Sequence, residues 1–527
     1  MDVVTPADPA TVSSVGDQAG FPGILYPGPA PDEADADPDY FADLHLDDIE
    51  ASITSGRDQY RLAPFVRARC ADAAAIAYRQ EVFRDLEGPG TAQAVRTFGA
   101  GMEEMRRSLG HLGKHHYRRE GEWWFLQAGL TYRRAVEGLR DALGSGEVRS
   151  TALLGARRML QGYTGSDGYR AMAADADAAA AALAGVRYRL RIAGPKVSVS
   201  RPDPDNPDYG AEVLATFERF RQGGGREYTF KFNDYPELNH VEAAVADRVA
   251  LVFPKAFAAL AAFAECQVAF LDPRVVRLDR EAQFYLAFME LVERASRAGG
   301  GFCYPEVVEG GDELRAEATF DLALATRLAA AGRPIVVNDV GVRPPERTVV
   351  VTGPNQGGKT TFARTVGQLL HLAALGVPVP GRSARLPLVD GIHALFEREE
   401  AVEDLVSKLE DDLRRVRAIL ARITDRSAVI MNETFSSTTV ADQSFINRRV
   451  LEAVGVAGAW CVTVTFLDEL ASLTPATVSM VSTVDPGEPA RRTFRIVRRR
   501  ADGRAYALAI AEKHRLTYPQ VVGRARR

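Results

Sequence analysis

The spacing of hydrophobic and polar positions changes several times along the chain. Over residues 43–185 apolar residues recur with helical spacing between glycine- and proline-containing turns, which predicts a helical core. In residues 186–235 apolar and basic side chains alternate, which is typical of half-exposed strands and predicts a small β insert. Residues 236–331 return to a helical pattern, with long helices expected over 238–270 and 280–298.

The sequence pattern changes in residues 332–527, where short β-branched runs alternate with helical patterns. This alternation predicts an α/β domain built on a parallel sheet. Its strands are expected at residues 348–352, 427–431, 460–466, 493–498 and 505–510, the last two joined by an Asp502-Gly503 hairpin turn. The fold class predicted is therefore multidomain, with a C-terminal α/β domain preceded by an all-α region that carries the β insert.

Residues 1–42 differ from the rest in composition, being rich in Pro, Asp, Ala and Gly. Such a segment buries too little apolar surface to offset its chain entropy, so it is expected to be a disordered acidic tail, although the apolar stretch 21–26 could dock. Residues 1–50 contain twelve acidic residues and no Lys or Arg. With these set apart, the net charge of −5 for the whole chain becomes +7 for residues 51–527. The body is therefore basic, and a polyanionic partner is not excluded.

Several classes of protein are disfavoured by the composition. No run of 18 apolar residues is present, and the N-terminus lacks the basic and apolar regions of a secretory signal. The four cysteines are far apart and form no CxxC pair, which argues against a disulfide framework or a zinc finger. A cytoplasmic protein with no membrane association is expected.

A phosphate-binding motif marks the start of the α/β domain. The motif fits the P-loop pattern GxxxxGK[ST] and follows a predicted strand; its residues are Gly353, Pro354, Asn355, Gln356, Gly357, Gly358, Lys359 and Thr360. Glycines allow several backbone N–H groups to surround a phosphate, and the following helix adds the positive end of its dipole. Lys359 is expected to reach the β- and γ-phosphates, and the Thr360 hydroxyl is expected to bind Mg²⁺.

A second motif, which contains an acidic residue, lies at the predicted end of a later strand. The apolar run Val429-Ile-Met ends in Asn432-Glu433, at the sheet edge where α/β proteins bind ligands. Glu433 is the candidate base that orients and deprotonates an attacking water. Asn432 can accept a bond from Mg²⁺-bound water but contributes no charge.

These motifs, in this order, resemble the MutS family, whose ATPases share the ABC-type nucleotide-binding fold. Four segments carry most of the resemblance: the P-loop from Thr352 through Thr361, the signature-like stretch 407–413, the Walker B-like stretch 432–438, and residues 333–339 ahead of the ATPase strands. The ending 506–525 is similar to the end of the family's ATPase domain, and residues 78–86 are similar to the start of its core helices. By this resemblance Ser407 contacts the γ-phosphate held by the other subunit, and Asn338 belongs to the segment that lines the adenine.

The resemblance implies a function as well as a fold. It implies an ATP- and Mg²⁺-dependent ATPase, a homodimer, and ATP-dependent control of a clamp around double-stranded DNA in repair or recombination, with other repair proteins as possible partners and nucleoid association when DNA is bound. The clamp would be the β insert at 186–235, at the tip of lever helices in 236–331. The chain ahead of the core leaves no room for the family's mismatch-binding and connector domains.

Two departures from the family pattern support an alternative. Asn432 stands where the family has Asp, and Phe466 stands where it has a catalytic-site His. A nucleotide-binding scaffold with little turnover that assembles protein partners is therefore the alternative function. A transporter or chromosome-organising ATPase is a weaker alternative, since the Ser-Gly-Gly signature and long heptad arms are absent from the sequence.

Basic residues of the β insert are the candidate DNA contacts. Strand alternation would place Arg187, Arg189 and Arg191 on one face, and Lys196 follows in the next predicted strand. Arginine and lysine supply non-specific DNA affinity by neutralising phosphates. A solvated basic face without a ligand is the competing interpretation.

Overall fold

The computed structural model describes residues 21–29, 33, 36–112, 117–202, 238–397, 408–485, 487 and 491–501. These residues divide into two units. The helical unit comprises residues 89–148 and 154–279. The mixed unit comprises residues 22–88 and 149–153 together with the chain from 280 onward.

Most of the described helices lie where the sequence pattern predicts helices. In chain order they are α1 Phe41–Leu44, α2 Leu46–Thr54, α3 Ala63–Arg67, α4 Ala73–Leu86, α5 Pro89–Leu112, α6 Arg118–Ser145, α7 Thr151–Thr164, α8 Asp167–Ala184, α9 His240–Val252, α10 Pro254–Cys266, α11 Pro273–Ser296, α12 Leu322–Ala330, α13 Lys359–Ala374, α14 Lys408–Leu420 and α15 Val440–Ala457. Two short 3₁₀ helices cover Asp58–Tyr60 and Asp468–Ser472.

The described strands form four sheets. In chain order they are β1 Arg189–Ala193, β2 Lys196–Ser200, β3 Phe302–Cys303, β4 Glu306–Val308, β5 Leu314–Thr319, β6 Asn338–Val342, β7 Thr348–Thr352, β8 Val379–Pro380, β9 Ser383–Pro387, β10 Ile392–Phe396, β11 Ala428–Asn432, β12 Trp460–Val464, β13 Thr477–Val484 and β14 Arg492–Arg498. The sheet orders are β1-β2, β3-β8, β4-β9-β5-β6 and β10-β11-β12-β7-β13-β14.

The six-stranded sheet is the centre of the mixed unit. Its first five strands are parallel, and β14 adds antiparallel to β13. All five residues of β7 and of β12 are buried, which is why their sequences are continuous apolar or β-branched runs without polar alternation. Parallel pairing brings the carboxyl ends of β7, β10, β11 and β12 to one edge. This confirms the mixed α/β class predicted for the C-terminal region, and the strand predicted at 505–510 lies outside the described residues.

One long helix predicted from the pattern is broken in the structure. Residues 238–270 contain two helices, α9 and α10, which meet at Phe253-Pro254 with a bend of 109°. Proline lacks the N–H that would continue the ladder and disfavours a helical conformation at the residue before it. Within the described residues no single helix is long and apolar enough to cross a membrane, and α9 with α10 meets that test only as a bent pair.

The domain boundaries also differ from the predicted ones. The helical core was placed at 43–185, but residues 43–88 cluster with the C-terminal residues in the mixed unit, as does the chain from 280 to 331. The helical unit contains the β1–β2 hairpin and the paired helices α5 and α6. Of the β insert predicted at 186–235, residues 203–235 lie outside the described residues.

Part of the predicted acidic tail is packed into the mixed unit. Ile24 and Leu25 are buried, and the backbone N–H groups of both donate to the Glu281 carboxylate. The Tyr285 hydroxyl donates to the Ile24 carbonyl at 2.6 Å. Prediction of a disordered tail through residue 42 is therefore wrong for this segment, because its short apolar stretch finds buried polar partners that composition does not reveal. Docking of 21–26 is confirmed for Ile24 and Leu25, and residues 1–20 lie outside the described part.

A buried histidine on α13 should make folding stability depend on pH. His371 is fully buried, and its ring contacts the Val66 carbonyl at 2.9 Å and the Tyr40 hydroxyl at 3.2 Å. Burial, reinforced by the charge of Arg69, lowers the pKa of His371 to about 3. The unfolded chain binds a proton here below about pH 6.5 and the folded chain does not, so stability is lost as the pH falls from about 6.5 toward 3.

Because of this histidine, we expect the unfolding free energy to be roughly 2 kcal/mol lower at pH 5 than at pH 7.5. Denaturant unfolding at both pH values, in the wild type and in His371→Gln, measures it. The variant should be less stable at pH 7.5 but should lose less stability on acidification. Equal losses in both proteins would contradict the assignment.

Candidate active site

The P-loop joins β7 to α13 in a conformation that requires glycine at several positions. Gly353 and Gly358 have φ of +114° and +90°, in the region that side chains rarely adopt. A Cβ added at Gly357 would lie 2.2 Å from the Ser482 hydroxyl oxygen, and that hydroxyl donates to the Gly357 carbonyl at 2.8 Å. Ser482, on β13, therefore shapes the loop, although its isolated position in sequence gave no signal.

Lys359 begins α13 and is almost fully buried. Its ammonium group donates to the carbonyls of Gly353 at 3.0 Å and Pro354 at 3.2 Å, and to the Asn355 side chain at 3.4 Å. The same nitrogen lies 3.9 Å from a Glu433 carboxylate oxygen. Burial lowers the pKa of Lys359, and the charge of Glu433 opposes that shift. A phosphate would replace the loop carbonyls as a stronger partner for this ammonium.

The other predicted P-loop residues occupy the turn and the first helical turn. Gln356 has a φ of +57° at the tip of the loop. The Thr360 hydroxyl donates to the Asn432 side-chain oxygen at 2.8 Å, and Thr361 lies in the first turn of α13. The structure therefore brings together Thr360 and Asn432, which sequence reasoning paired only through their chemistry.

Glu433 follows β11 in a constrained backbone conformation. Its φ is +50°, and its N–H donates to the Val464 carbonyl at 2.9 Å. The half-buried carboxylate faces Lys359. Burial raises the pKa of Glu433; the charge of Lys359 opposes this, and that of Glu397 adds to it. A carboxylate so placed is suited to accept a proton.

A polar cluster beside Glu433 was not predicted. Glu397 follows β10, and its carboxylate accepts hydrogen bonds from Lys408 and, at 2.8 Å, from Ser436. The Lys408 and Ser436 bonds lower the pKa of Glu397. The cluster is formed by segments that meet only in the fold, so no local pattern indicates it.

Phe466 lies directly over the P-loop lysine. Its ring centroid is 4.3 Å from the Lys359 ammonium, and the side chain is about half exposed. An aromatic face attracts a cation but can neither donate nor accept a proton, so this position supplies no acid–base group.

Asn338 and β14 form the opposite side of the loop. The Asn338 side chain donates to the Phe494 carbonyl at 3.2 Å and accepts from the Ile496 N–H at 2.7 Å. Phe494 has a φ of +57° and packs against Gly358, while Arg492 donates to the Asn355 carbonyl at 3.1 Å. The amide of Asn338 is thus engaged by β14, and its adenine-lining role stays a prediction.

The candidate DNA residues lie on the β1–β2 hairpin of the helical unit. Arg189 pairs with Ser200, Arg191 with Ser198 and Ala193 with Lys196, so Arg189, Arg191 and Lys196 share one face. Arg191 and Lys196 are exposed. Arg187 lies before the strand, and its guanidinium donates to the Ala184 and Val186 carbonyls, so its alignment with the other basic residues stays a prediction.

Ser407 lies outside the described residues. Within the described part of the chain, no group of three or more His, Cys, Asp or Glu side chains could hold a metal ion by itself.

Known proteins resemble the C-terminal part of this chain. Residues 349–527 match the family described as MutS domain V. An endonuclease MutS2 from Gemmatimonas aurantiaca is 29% identical over 189 residues, and a DNA mismatch repair protein MutS from Granulibacter bethesdensis is 32% identical over 194 residues. These alignments cover 35% and 36% of this chain, but 23% and 20% of the relatives. With an endonuclease MutS2 from Thermus thermophilus the identity is 27% over 267 residues, or 47% of this chain and 35% of the relative.

Proposed function

We propose that this MutS-like chain, whose residues 349–527 match MutS domain V, the ATPase domain of that family, binds and hydrolyses ATP and couples this to DNA binding. One observation carries the proposal. The P-loop lysine, the Thr360–Asn432 pair and the Glu433 carboxylate converge at one edge of one sheet. This is the edge where α/β folds bind ligands.

Phosphate binding is assigned to the loop and the start of α13. Gly358 has no side chain to cap the first N–H groups of the helix, which leaves them for an anion. The Lys359 ammonium adds a positive charge. Because the side chain is buried, solvent screens this charge weakly. Together these groups would hold the β- and γ-phosphates.

The residues also fit a magnesium ion. The hydroxyl oxygen of Thr360 and the amide oxygen of Asn432 are hard ligands 2.8 Å apart, of the kind that hold Mg²⁺ directly or through water. When bound, the ion would neutralise charge on the phosphates. The neutral Asn432 would hold it less tightly than a carboxylate would.

Water activation is assigned to Glu433. Its raised pKa strengthens it as a base, and its Val464 hydrogen bond fixes the backbone that carries it. The charge of the nearby Lys359 ammonium opposes this shift and favours the ionised carboxylate.

A homodimer is part of this proposal. Val440 and Phe445, on the helix that follows the Glu433 segment, are 68% and 60% exposed. Large exposed apolar side chains beside a polar site are typical of interaction surfaces. Ser407 of one subunit would act on the nucleotide of the other, as the family resemblance implies.

A second function is favoured by Phe466. Its ring covers Lys359 and provides no proton-transferring group. Together with the neutral Asn432, this fits a nucleotide-binding scaffold that turns ATP over slowly while assembling protein partners. Nucleotide binding is common to both functions, and turnover separates them.

Removal of the P-loop ammonium tests nucleotide binding. We expect Lys359→Ala to weaken ATP affinity at least roughly tenfold, because a buried charge-assisted contact to phosphate is lost. Equilibrium titration with a fluorescent ATP analogue measures it. Lys255→Ala, at an exposed position of the helical unit, is the control and should bind as the wild type does. Equal affinity in Lys359→Ala would refute the proposed function at its base.

Salt-dependent binding tests the DNA part. We propose that Arg189, Arg191 and Lys196 contact phosphates of duplex DNA, and expect their combined replacement by Gln to lower the slope of log affinity against log salt by about 2 to 3. Electrophoretic binding to homoduplex, mismatched and branched DNA at two salt concentrations, with and without ATP, measures it.

A charge-matched control separates this face from net charge. Replacement of the exposed Arg96, Arg158 and Arg248 by Gln removes the same charge from other surfaces of the helical unit. If both triple variants lose the same affinity, the hairpin is not the contact.

A further inference from the structure

Helix α1 packs on α13, the helix that begins at the P-loop. Leu44 of α1 is fully buried against Gly367 of α13, where an added Cβ would lie 2.7 Å from a Leu44 methyl carbon. The Gln368 side chain donates to the Leu44 carbonyl at 2.9 Å, and Arg364 donates to the Asp43 carbonyl at 2.9 Å. Arg364 lies one turn after Thr360. The backbone of Asp43 is therefore tied to the nucleotide-binding helix.

The side chain of Asp43 faces a different pair of elements. Its carboxylate lies 3.4 Å from the Arg415 guanidinium of α14 and 3.4 Å from the Phe396 N–H at the end of β10. Arg415 also donates to the Phe396 carbonyl at 3.1 Å. The side chains of Asp43 and Arg415 are only 13% and 16% exposed, so solvent screens their attraction weakly. We call Asp43, Arg364, Phe396 and Arg415 the Asp43 junction.

The Asp43 junction is one residue away from the polar cluster of Glu397, Lys408 and Ser436 beside Glu433. Glu397 directly follows Phe396 and binds Lys408 and Ser436. Lys408 is the first residue of α14, the helix that carries Arg415. The charge of Glu397 also acts on Glu433. Movement of β10 or α14 would thus displace the groups around the candidate base.

We propose that Asp43 is a positioning residue for ATP hydrolysis, which holds the end of β10 and helix α14 in register with the P-loop helix. The inference rests on the proposed ATPase function and goes beyond it, because it assigns a part in turnover to a residue outside the C-terminal domain. Asp43 acts through Phe396 and Arg415 and does not touch the nucleotide. Its loss should therefore slow turnover and leave ATP affinity unchanged.

Asp43→Asn tests this directly. An amide keeps the shape but removes the charge that strengthens the bonds to Arg415 and Phe396. We expect kcat to fall roughly tenfold or more, since small misplacements remote from the chemistry have effects of that size, with KM and the equilibrium affinity for ATP unchanged. Asp43→Glu, which restores the charge, should recover part of kcat.

The matched control is Asp58→Asn, which replaces an exposed carboxylate at the start of the 3₁₀ helix Asp58–Tyr60. It should leave kcat as in the wild type. A double-mutant cycle with Arg415→Gln isolates the contact: the two single losses should not add in the double variant. Additive losses, or an unchanged kcat in Asp43→Asn, would overturn the inference.

A folding defect and a failure of the proposed function can both be told apart from a failure of the positioning inference. If Asp43→Asn fails to fold in a thermal scan, Arg415→Lys tests the same junction from α14, where loss of the planar fork should lower kcat and an unchanged kcat overturns the inference. If the wild type turns over ATP and Glu433→Gln abolishes this while the Asp43 and Arg415 variants do not differ from the wild type, only the positioning inference fails. If the wild type neither binds nor hydrolyses ATP, the proposed function fails with it.

Discussion

Glu433→Gln is expected to lower steady-state ATP turnover by roughly 10²- to 10⁴-fold, the usual contribution of a positioned general base. The amide has the shape of the carboxylate but cannot accept the proton of the attacking water. ATP affinity should change little, because the proposed phosphate contacts are those of Lys359 and the loop backbone. Steady-state phosphate release, with affinity measured separately, gives the answer.

The acid side of the pH profile provides a second readout. Because burial and Glu397 raise the pKa of Glu433, the wild-type rate should begin to fall on acidification at a pH above the ordinary glutamate value of about 4.3. Glu469→Gln, at an exposed carboxylate, is the control and should keep the wild-type rate. A wild-type rate that survives Glu433→Gln would favour the scaffold with little turnover.

Arg79→Met is expected to be the most damaging of these substitutions for stability. Arg79 is fully buried, and its guanidinium donates to the carbonyls of Leu25 and Leu375, both at 2.9 Å. The guanidinium also stacks over Tyr26, with 4.6 Å to the ring centroid. Methionine keeps the aliphatic bulk but leaves two buried carbonyls without this donor, at about 1 to 3 kcal/mol each. We expect a loss of roughly 2 to 6 kcal/mol in unfolding free energy.

Denaturant unfolding of Arg79→Met and Arg84→Met makes the comparison on one helix. Arg84 is exposed and contacts Gln80 and the Tyr304 ring, so its replacement should cost about 1 kcal/mol or less. Leu375 directly follows α13, and Leu25 belongs to the docked N-terminal segment. Limited proteolysis should therefore release residues 22–26 first in Arg79→Met. Equal stability of the two variants would show that the buried bonds contribute nothing.

The elements that repeat a local pattern could be predicted from the sequence. Strands β7, β11 and β12 were expected within a residue or two of their observed starts, because buried parallel strands are continuous apolar runs. The break between α9 and α10 was not predicted, because Pro254 divides a region whose apolar pattern alone indicated one helix. The grouping of residues 43–88 with the C-terminal residues could not be predicted, since it depends on contacts between segments remote in sequence.

The candidate site divides in the same way. The sequence identified Lys359, Thr360, Asn432 and Glu433, because each stands at a fixed position in a contiguous motif whose chemistry is known. It did not identify Ser482, Glu397 or Phe494, whose contacts with the site span long stretches of chain. Such contacts have no local periodicity or spacing that a single sequence could reveal.

By itself, then, the sequence determined a loop with the P-loop motif, a following strand that ends in Asn432-Glu433, and an α/β domain that contains both. These follow from turn chemistry, β-branched runs and motif spacing, all of which act over a few residues. Only the tertiary structure decided that residues 22–29 and 36–44 belong with that domain, that Asp43 joins α13, β10 and α14, and that Phe466 covers Lys359. The physical reason is that packing and the burial of charge depend on which surfaces meet. The composition of an N-terminal segment does not indicate which residues it will contact.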